Sequence, residues 1–253
     1  MNEPRWLPPV IGLIGSGRMA SAVAKGLGGP VLATDGGSGR AAALVAAVGG
    51  EVPSSNAELA KRADIVILCH PPEALSAVAS EIADHARLVV SLLAKTDHAR
   101  LAALLPTGIA VRAMTNLAVE LRQGVTCLAA GAGTEQAGEV FARLGEVVVL
   151  PENEMAVTSA LIGVAPAYVA FLIEAQADAA VAYGVSKEVA IRIARGTFAG
   201  SAALLRERGD DPRALTREVV TPGGPTSRGL HVLEEYDVRA ALRAALDAVR
   251  RRD

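Results

Sequence analysis

The sequence predicts an α/β protein in which a doubly wound, mostly parallel sheet is followed by an all-α domain. From residue 10 to residue 151, short apolar runs rich in β-branched residues alternate with helical patterns, which indicates a sheet covered by helices on both faces. After residue 151 only helical patterns follow. The 253 residues suffice for two domains, and we predict domains at 1–151 and 152–253.

Seven stretches are predicted to be strands, at residues 10–16, 30–35, 64–70, 87–93, 109–114, 124–131 and 145–151. Their apolar residues are nearly continuous, as in strands buried on both faces. Helices are predicted between them within "GRMASAVAKGL", "GRAAALVAAV", "PEALSAVASEIAD" and "TEQAGEVFARL", where apolar residues recur every three to four positions.

The second domain is predicted to consist of helices separated by capping and breaking residues. The first helix is expected at about 152–183 and is ended by Gly184, and the second runs from Ser186 to near Gly209. A third helix begins at Asp211-Pro212, and Asp237 is expected to cap the last one. The helical domain is apolar on nearly all sides, so we expect burial against a second subunit, as in a homodimer.

Charge and cysteine content exclude several classes of function. The formal net charge of −2 leaves no basic surface for nucleic acid, and the basic cluster Arg250 to Arg252 is interpreted as a solvated helix end. Cys69 and Cys127 both lie in apolar runs. Two isolated thiols make neither a disulfide framework nor a metal site, so we expect no metal and a reducing compartment, the cytoplasm.

One stretch raises the question of a membrane. Residues 155–173 contain no charge and approach the length of a membrane-spanning helix. Polar residues and Pro166 interrupt the stretch, and glutamates bracket it, so we interpret it as a helix buried within a protein or a dimer. The first ten residues show no signal-peptide pattern. We expect a soluble protein.

The segment Gly15-Ser16-Gly17-Arg18-Met19-Ala20 follows the first predicted strand and opens the first helix. This G-x-G-x-x-A motif stands in the context that dinucleotide binding requires. The first glycine permits a tight turn, the second lets a pyrophosphate approach the backbone, and the alanine lets the helix pack on the strand. The motif predicts a Rossmann-type domain whose residues 15–19 bind NADH or NADPH, the alternative being a glycine turn without a ligand.

Asp35 ends the second predicted strand, twenty residues after Gly15, where an acid commonly bonds the ribose 2′-hydroxyl. Because this carboxylate would repel a 2′-phosphate, it favours NADH over NADPH. Ser38 and Arg40 follow in the same loop and offer groups that can bind a phosphate. Alternatively, Asp35 and Ser38 only shape the turn and cap the next helix.

Two other strand ends supply polar side chains. His70 ends the strand at 64–70 and is followed by Pro71; because ligands of open α/β sheets bind at such ends, we expect both residues to line the cofactor crevice. Asn116 follows the strand at 109–114, and its amide is predicted to bond the nicotinamide carboxamide or ribose. Alternatively, His70 is only a solvent-exposed loop residue, and the amide of Asn116 only caps a turn.

The segment Pro222-Gly223-Gly224-Pro225 breaks the helical domain between two good helical patterns. With its neighbours, "TPGGPTSRGLHVLEE" closely resembles the signature of the pyrroline-5-carboxylate reductases. The segments "IGLIGSGRMASAVAKGL", "RAMTNLAVELRQGVT" and "PAYVAFLIEAQADAAVAYGV" are similar to that family's nucleotide motif, its Arg-x-Met-x-Asn segment and its long dimer helix. The resemblance covers essentially the whole chain.

The resemblance implies a Rossmann domain and an interlocked helical dimer domain, sometimes assembled further, that reduce Δ1-pyrroline-5-carboxylate to L-proline with NADH or NADPH. Backbone N–H groups around Gly223, Gly224 and Thr226 would hold the carboxylate of this cyclic imine. The Thr226 hydroxyl would lie near the ring nitrogen as the catalytic group. Either the imine binds already protonated or Thr226 relays a proton from water. From the residues alone, Thr226 could equally be an N-cap after a tight turn.

The sequence departs from the family pattern around the expected pocket. His70 and Thr115 replace a usual lysine and proline, and Gly36 replaces a frequent arginine, which again favours NADH. The other replacements are Leu117-Ala118-Val119 for Thr-Pro-Ala, residues 162–165 for Ser-Gly-Ser-Gly, and Pro225 for threonine or alanine. Several of these changes make the pocket more apolar. A paralogous reductase of another cyclic imine and a non-catalytic NAD(P)-binding protein are therefore the alternatives.

Overall fold

A computed structural model describes residues 8–209 and 211–250 of the chain. Its strands are β1 Ile11–Ile14, β2 Val31–Thr34, β3 Gly50–Glu51, β4 Ile65–Leu68, β5 Leu88–Ser91, β6 Ile109–Met114, β7 Gly124–Ala129 and β8 Gly145–Leu150. They form one sheet in the order β3-β2-β1-β4-β5-β6-β7-β8. Strands β1 to β6 are parallel, and β7 is antiparallel to β6 and parallel to β8. The predicted doubly wound sheet is confirmed.

Helices cover both faces of the sheet. They are α1 Arg18–Leu27, α2 Arg40–Val48, α3 Asn56–Arg62, α4 Leu75–Ile82, α5 His98–Leu104 and α6 Thr134–Ala142. Successive side chains of a strand enter different apolar clusters: Ile65 and Ile67 of β4 belong to one, and Val66 and Leu68 to the other. Because both faces are buried, these strands have no polar side, which explains their unbroken apolar runs.

Helices α3 and α5 lie outside the elements that the sequence predicts. Each has only seven residues, too few for hydrophobic periodicity to show. Their N-caps are distinct: Ser55 accepts a hydrogen bond from the Glu58 N–H (3.1 Å), and Asp97 accepts one from the Arg100 N–H (2.8 Å). Capping chemistry is therefore the signal that could have identified them.

From residue 152 the described chain is helical. The helices are α7 Glu152–Val181, α8 Lys187–Arg208, α9 Pro212–Val219, α10 Pro225–Glu235 and α11 Val238–Arg250. Gly184 and Gly209 follow α7 and α8 with φ angles of 91° and 96°, and Asp211 caps α9 by accepting from the Arg213 N–H (2.9 Å). Asp237 precedes α11 with a φ of 51°, a left-handed backbone unlike the extended N-cap that the sequence predicts.

The chain divides into two compact units, one ending at Gly163 and one beginning at Val164. In the first unit, Met155 and Ile162 of α7 pack with Cys127 and Ala129 of β7. The first turns of α7 thus complete the core at this part of the sheet. The first compact unit therefore ends at Gly163, beyond the predicted domain boundary at residue 151. Residues 1–7 and the last two arginines of the basic cluster lie outside the described residues.

Much apolar surface is exposed on the helices from α7 onward. By length and composition alone, α7 could cross a membrane. Large apolar side chains are exposed there, including Phe171 (68%), Tyr183 (91%), Ile193 (60%) and Leu233 (53%). Apolar side chains exposed to this extent indicate an interaction surface.

Candidate active site

The glycine turn after β1 lies at the centre of the sheet. Strand β1 is flanked by β2 and β4, so the chain connections diverge at the β1–β4 pair, which is where open α/β sheets bind ligands. Gly15 has a φ of 95°, and a Cβ there would lie 2.6 Å from the backbone nitrogen of His70. Only glycine combines this left-handed backbone with so close an approach. The predicted tight turn is therefore present at the switch point.

The N-terminus of α1 follows this turn and is suited to an anion. Gly17 is the N-cap, with no side-chain hydrogen bond to the first turn, so the N–H groups that follow have no partner within the helix. A Cβ on Gly17 would meet no described atom within 4 Å. Ser16 is buried and donates its hydroxyl to the Thr34 carbonyl (3.0 Å), and Met19 packs on the core. The backbone from Gly17 onward thus fits a pyrophosphate, while Ser16 braces the turn.

A cleft of about 450 Å³ extends from this turn between α1 and α2. Arg18 and Arg40 line it together with apolar residues of α2. Lys25 also lines it, but its ammonium group is paired with Glu120 at 2.8 Å. The two arginines therefore give the cleft a positive edge next to the glycine turn.

Asp35 organises the loop between β2 and α2. Its carboxylate accepts hydrogen bonds from the N–H groups of Gly37 (2.8 Å), Ser38 (3.1 Å) and Ala41 (2.8 Å), and from the Ser38 hydroxyl (3.0 Å). These bonds, that from Ala41 above all, hold the pKa of Asp35 below its usual value against a smaller opposing effect of burial. Asp35 and Ser38 therefore shape the turn, as the alternative interpretation stated, and a negative charge stands at the end of β2.

We expect Asp35→Asn to lower the free energy of unfolding by about 1 to 2 kcal/mol at neutral pH, because an amide cannot accept all four bonds. The pKa of Asp35 is lower in the folded than in the unfolded chain. Its stabilising contribution is thus complete above an unfolded pKa of about 3.9 and is lost as the pH falls through the folded pKa. Urea unfolding of both proteins between about pH 7 and pH 3 measures the difference.

The difference in unfolding free energy should stay constant down to about pH 4 and shrink below it. Asp84→Asn, at an exposed residue after α4, is the control and should match the wild type at every pH. A difference for Asp35→Asn that is undiminished in acid would contradict an ionic cause.

His70 lies at the end of β4, next to Gly15. Its Nδ1 lies 2.8 Å from the Pro71 carbonyl. Because a carbonyl only accepts, Nδ1 is the donor, and Nε2 is left as a buried acceptor without a hydrogen bond among the described residues. Desolvation lowers the pKa of His70 despite this bond, so the ring is neutral at pH 7. Burial raises the pKa of the adjacent Cys69 thiol to about 12, which favours the neutral thiol.

The segment after β6 is held by polar bonds. Asn116 accepts a hydrogen bond from the Ala118 N–H (3.1 Å) and caps the 3-10 turn at Leu117–Leu121; the amide NH₂ can still donate to a ligand. Thr115, which stands where the family usually has proline, is buried. Its hydroxyl lies 3.0 Å from the Val125 carbonyl and 2.8 Å from the Thr126 hydroxyl. This departure therefore links β6 to β7.

A partly buried ion pair was not apparent from the sequence. Arg112 of β6 is 9% exposed, and its Nη1 donates to Glu152 Oε1 at 2.6 Å. The same oxygen accepts from the His98 N–H (3.2 Å). The first residue of α7 is thereby fastened to β6 and to the start of α5; a glutamate in the first turn of a helix was the available signal.

In the second unit, residues 221–224 form a type II turn. The Gly224 N–H donates to the Thr221 carbonyl (2.9 Å), Pro222 occupies the second position, and Gly223 has a φ of 70°, as this turn type requires at its third position. A Cβ on Gly224 would lie 2.2 Å from the Thr221 hydroxyl oxygen. The two glycines therefore satisfy different requirements, a left-handed backbone and close packing.

Gly224 is also the N-cap of α10, and Pro225 is its first residue. Thr226 is thus the second helical residue, and the alternative that it is the N-cap is wrong. The turn already uses the Gly224 N–H, so the first-turn N–H groups of Thr226 and Ser227 are the ones a carboxylate would meet. The predicted cofactor residues lie in the first unit and Gly223, Gly224 and Thr226 in the second.

The sheet order, the glycine turn at its switch point and the open N-terminus of α1 define an NAD(P)-dependent oxidoreductase. In agreement, residues 10–95 match the family model described as NADP oxidoreductase, coenzyme F420-dependent, and residues 152–253 match that of pyrroline-5-carboxylate reductase dimerisation. The chain belongs to the pyrroline-5-carboxylate reductase family, as close relatives show.

The pyrroline-5-carboxylate reductase of Thermus thermophilus is 35% identical over 222 residues, which are 80% of this chain and 84% of that protein. The solved structure of the Coxiella burnetii pyrroline-5-carboxylate reductase has a TM-score of 0.87 at 27% identity, covering 96% of this chain and 97% of that one. The Plasmodium falciparum pyrroline carboxylate reductase, solved with NADP bound, has the same fold (TM-score 0.79, 24% identity, 96% of each chain).

The dimerisation match accounts for the exposed apolar surface. It begins at Glu152, the first residue of α7, and includes the exposed Phe171, Tyr183 and Ile193. The chain therefore forms a homo-oligomer through this region, and a partner subunit, rather than a bilayer, explains the composition of α7.

Proposed function

We propose that this chain reduces Δ1-pyrroline-5-carboxylate to L-proline with NADH or NADPH. The observation that supports this most directly is the turn and helix start at 221–227, where first-turn N–H groups can bind a carboxylate. When bound, the cofactor would supply the hydride that reduces the imine carbon; the nitrogen would gain a proton, and the carboxylate would be unchanged.

Different residues of the first unit would bind different parts of the cofactor. The backbone of Gly15, Gly17, Arg18 and Met19 would hold the pyrophosphate, with Ser16 bracing the turn. His70 and Pro71 would line the crevice, with the buried Nε2 of His70 facing away from the ligand. The amide NH₂ of Asn116 would donate to the carboxamide or ribose. These groups fit the polar edges of a nicotinamide nucleotide.

We propose a preference for NADH, roughly tenfold in kcat/KM, because the ionised Asp35 would repel a 2′-phosphate. Arg18 and Arg40 nearby keep the preference moderate.

We further propose a soluble, cytoplasmic enzyme, since both cysteines are free thiols. We also propose that it is built from dimers that can assemble further. The functional division would follow the predicted domains, 1–151 and 152–253.

The experiment is to follow oxidation of NADH and of NADPH while the concentrations of cofactor and of pyrroline-5-carboxylate are varied in turn, with Thr226→Ala beside the wild type. We expect turnover with both cofactors, faster with NADH. Loss of a hydroxyl that bonds the ring nitrogen should lower kcat/KM for the imine by about 10- to 100-fold, the equivalent of one hydrogen bond to a charged group.

Two further variants separate chemistry from folding. Thr226→Ser keeps the hydroxyl and should recover most of the activity. Thr216→Ala removes a hydroxyl that bonds the Pro212 carbonyl in α9 (2.8 Å) and should leave kcat/KM unchanged. Full activity of Thr226→Ala would remove Thr226 from the mechanism. Cofactor binding without turnover of this imine would instead favour another cyclic imine as substrate.

A further inference from the structure

We propose that Arg228 binds the substrate carboxylate and selects for imines that have one. This inference rests on the proposed function. Arg228 is the fourth residue of α10; it lies within the signature segment 221–235 but outside the turn at 221–224.

The position of the Arg228 guanidinium supports this role. Side chains on a helix lean toward its N-terminus, and that of Arg228 reaches back past the start of α10 to the preceding turn. Its Nη1 donates to the Gly223 carbonyl at 2.8 Å. The charged group thus lies against the turn whose end, Gly224, is the N-cap of the helix.

The charge of Arg228 is not neutralised by a carboxylate of the described chain. Three other arginines in these helices pair with a carboxylate: Arg208 with Glu218 (2.7 Å), Arg217 with Asp211 (3.5 Å) and Arg239 with Glu234 (2.8 Å). Arg228 has a carbonyl partner instead, and no acidic residue occurs from 219 to 233. An exposed guanidinium held in place without a counter-ion favours an anionic ligand.

The chemistry of the guanidinium matches that of the ligand. Arginine has several N–H donors in a planar fork, and a carboxylate accepts two of them in parallel. One donor is used by Gly223, which leaves others for a carboxylate bound at the Thr226 and Ser227 N–H groups. The carboxylate would then be attracted both by the partial positive charge at the N-terminus of α10 and by the full positive charge of Arg228.

The experiment compares pyrroline-5-carboxylate with 1-pyrroline, the same ring without a carboxylate, as substrates of the dimeric enzyme. For Arg228→Ala we expect the KM for pyrroline-5-carboxylate to rise about tenfold, equivalent to about 1.4 kcal/mol, with kcat within about twofold, since a binding contact is removed. The kinetic constants for 1-pyrroline and the KM for NADH should not change. Arg228→Lys should lose less affinity than Arg228→Ala.

Two controls guard against a general effect. Arg239→Ala removes the same charge from the exposed start of α11 and should change neither substrate's constants. Inhibition by L-proline should weaken about tenfold in Arg228→Ala, while inhibition by L-prolinamide, which lacks the charge, should not.

Equal losses for both substrates would show that Arg228 only braces the turn, and an unchanged KM for pyrroline-5-carboxylate would show that it has no role; either result overturns the inference. If the wild type reduces pyrroline-5-carboxylate and Arg228→Ala does so equally well, only the inference fails. If the wild type does not reduce it, the proposed function fails and the inference with it.

Discussion

Gly17→Ser is expected to raise the KM for NADH at least tenfold while leaving the fold intact. Gly17 has an ordinary backbone (φ −80°, ψ −169°), and a Cβ there meets no described atom within 4 Å. Serine is also a better N-cap than glycine. The new side chain would, however, occupy the approach to the N–H groups of α1 and bond to them, where we propose that the pyrophosphate binds.

Steady-state kinetics and cofactor titration by calorimetry would measure this effect, and thermal unfolding would show that the fold persists. The matched control is Gly29→Ser, after the end of α1, where a Cβ also meets nothing within 4 Å. We expect both variants to unfold at or near the wild-type temperature and only Gly17→Ser to lose affinity. An unchanged KM for NADH would show that the pyrophosphate does not bind at this turn.

Gly26→Ala is expected to have the opposite profile, a large loss of stability. A Cβ on Gly26 would lie 2.1 Å from the Val119 carbonyl oxygen and 2.8 Å from Leu144 Cδ2. Arg122 stabilises the same contact between α1 and the turn at Leu117–Leu121, since its Nε donates to the Gly26 carbonyl (2.8 Å). A backbone oxygen cannot swing away as a flexible side chain can. We therefore expect a loss of about 3 kcal/mol, or roughly 6 to 12 °C in unfolding temperature.

The control is Gly29→Ala, in the same region but with open space around it, which should be neutral or slightly stabilising. Thermal and urea unfolding of the three proteins at equal concentration are the measurements, because the chain is an oligomer. A Gly26→Ala protein as stable as the wild type would mean that α1 and the turn at Leu117–Leu121 can separate at little cost.

The fold was largely predictable because its main signals are local. Strands buried on both faces gave unbroken apolar runs, and Gly15 and Gly17 stood directly between a strand and a helix. What the sequence did not indicate depends on pairing at a distance. The antiparallel direction of β7 follows from its partner in the sheet, and the two-residue β3 exists only because Val31 and Leu32 lie beside it.

For the candidate site, the sequence supplied a set of predicted residues but not their geometry. Asp35 was expected at the ribose, but only the structure shows that four donors already bind its carboxylate. The family signature indicated Thr226, whereas its place as second residue of α10 depends on Gly224 being the N-cap. Arg228 and Glu152 have no motif of their own, since their roles depend on what their side chains reach.

The two prolines around Gly223 and Gly224 would affect the thermodynamics of the carboxylate binding that we propose at this segment. Pro222 and Pro225 each fix one backbone angle, and the Gly224 N–H closes the turn between them. The unbound segment therefore has few other conformations to lose. Because little ordering would be required when the carboxylate binds, its proposed contacts with the helix start would appear almost fully as affinity. Glycines alone would give the same shape but a larger entropic penalty.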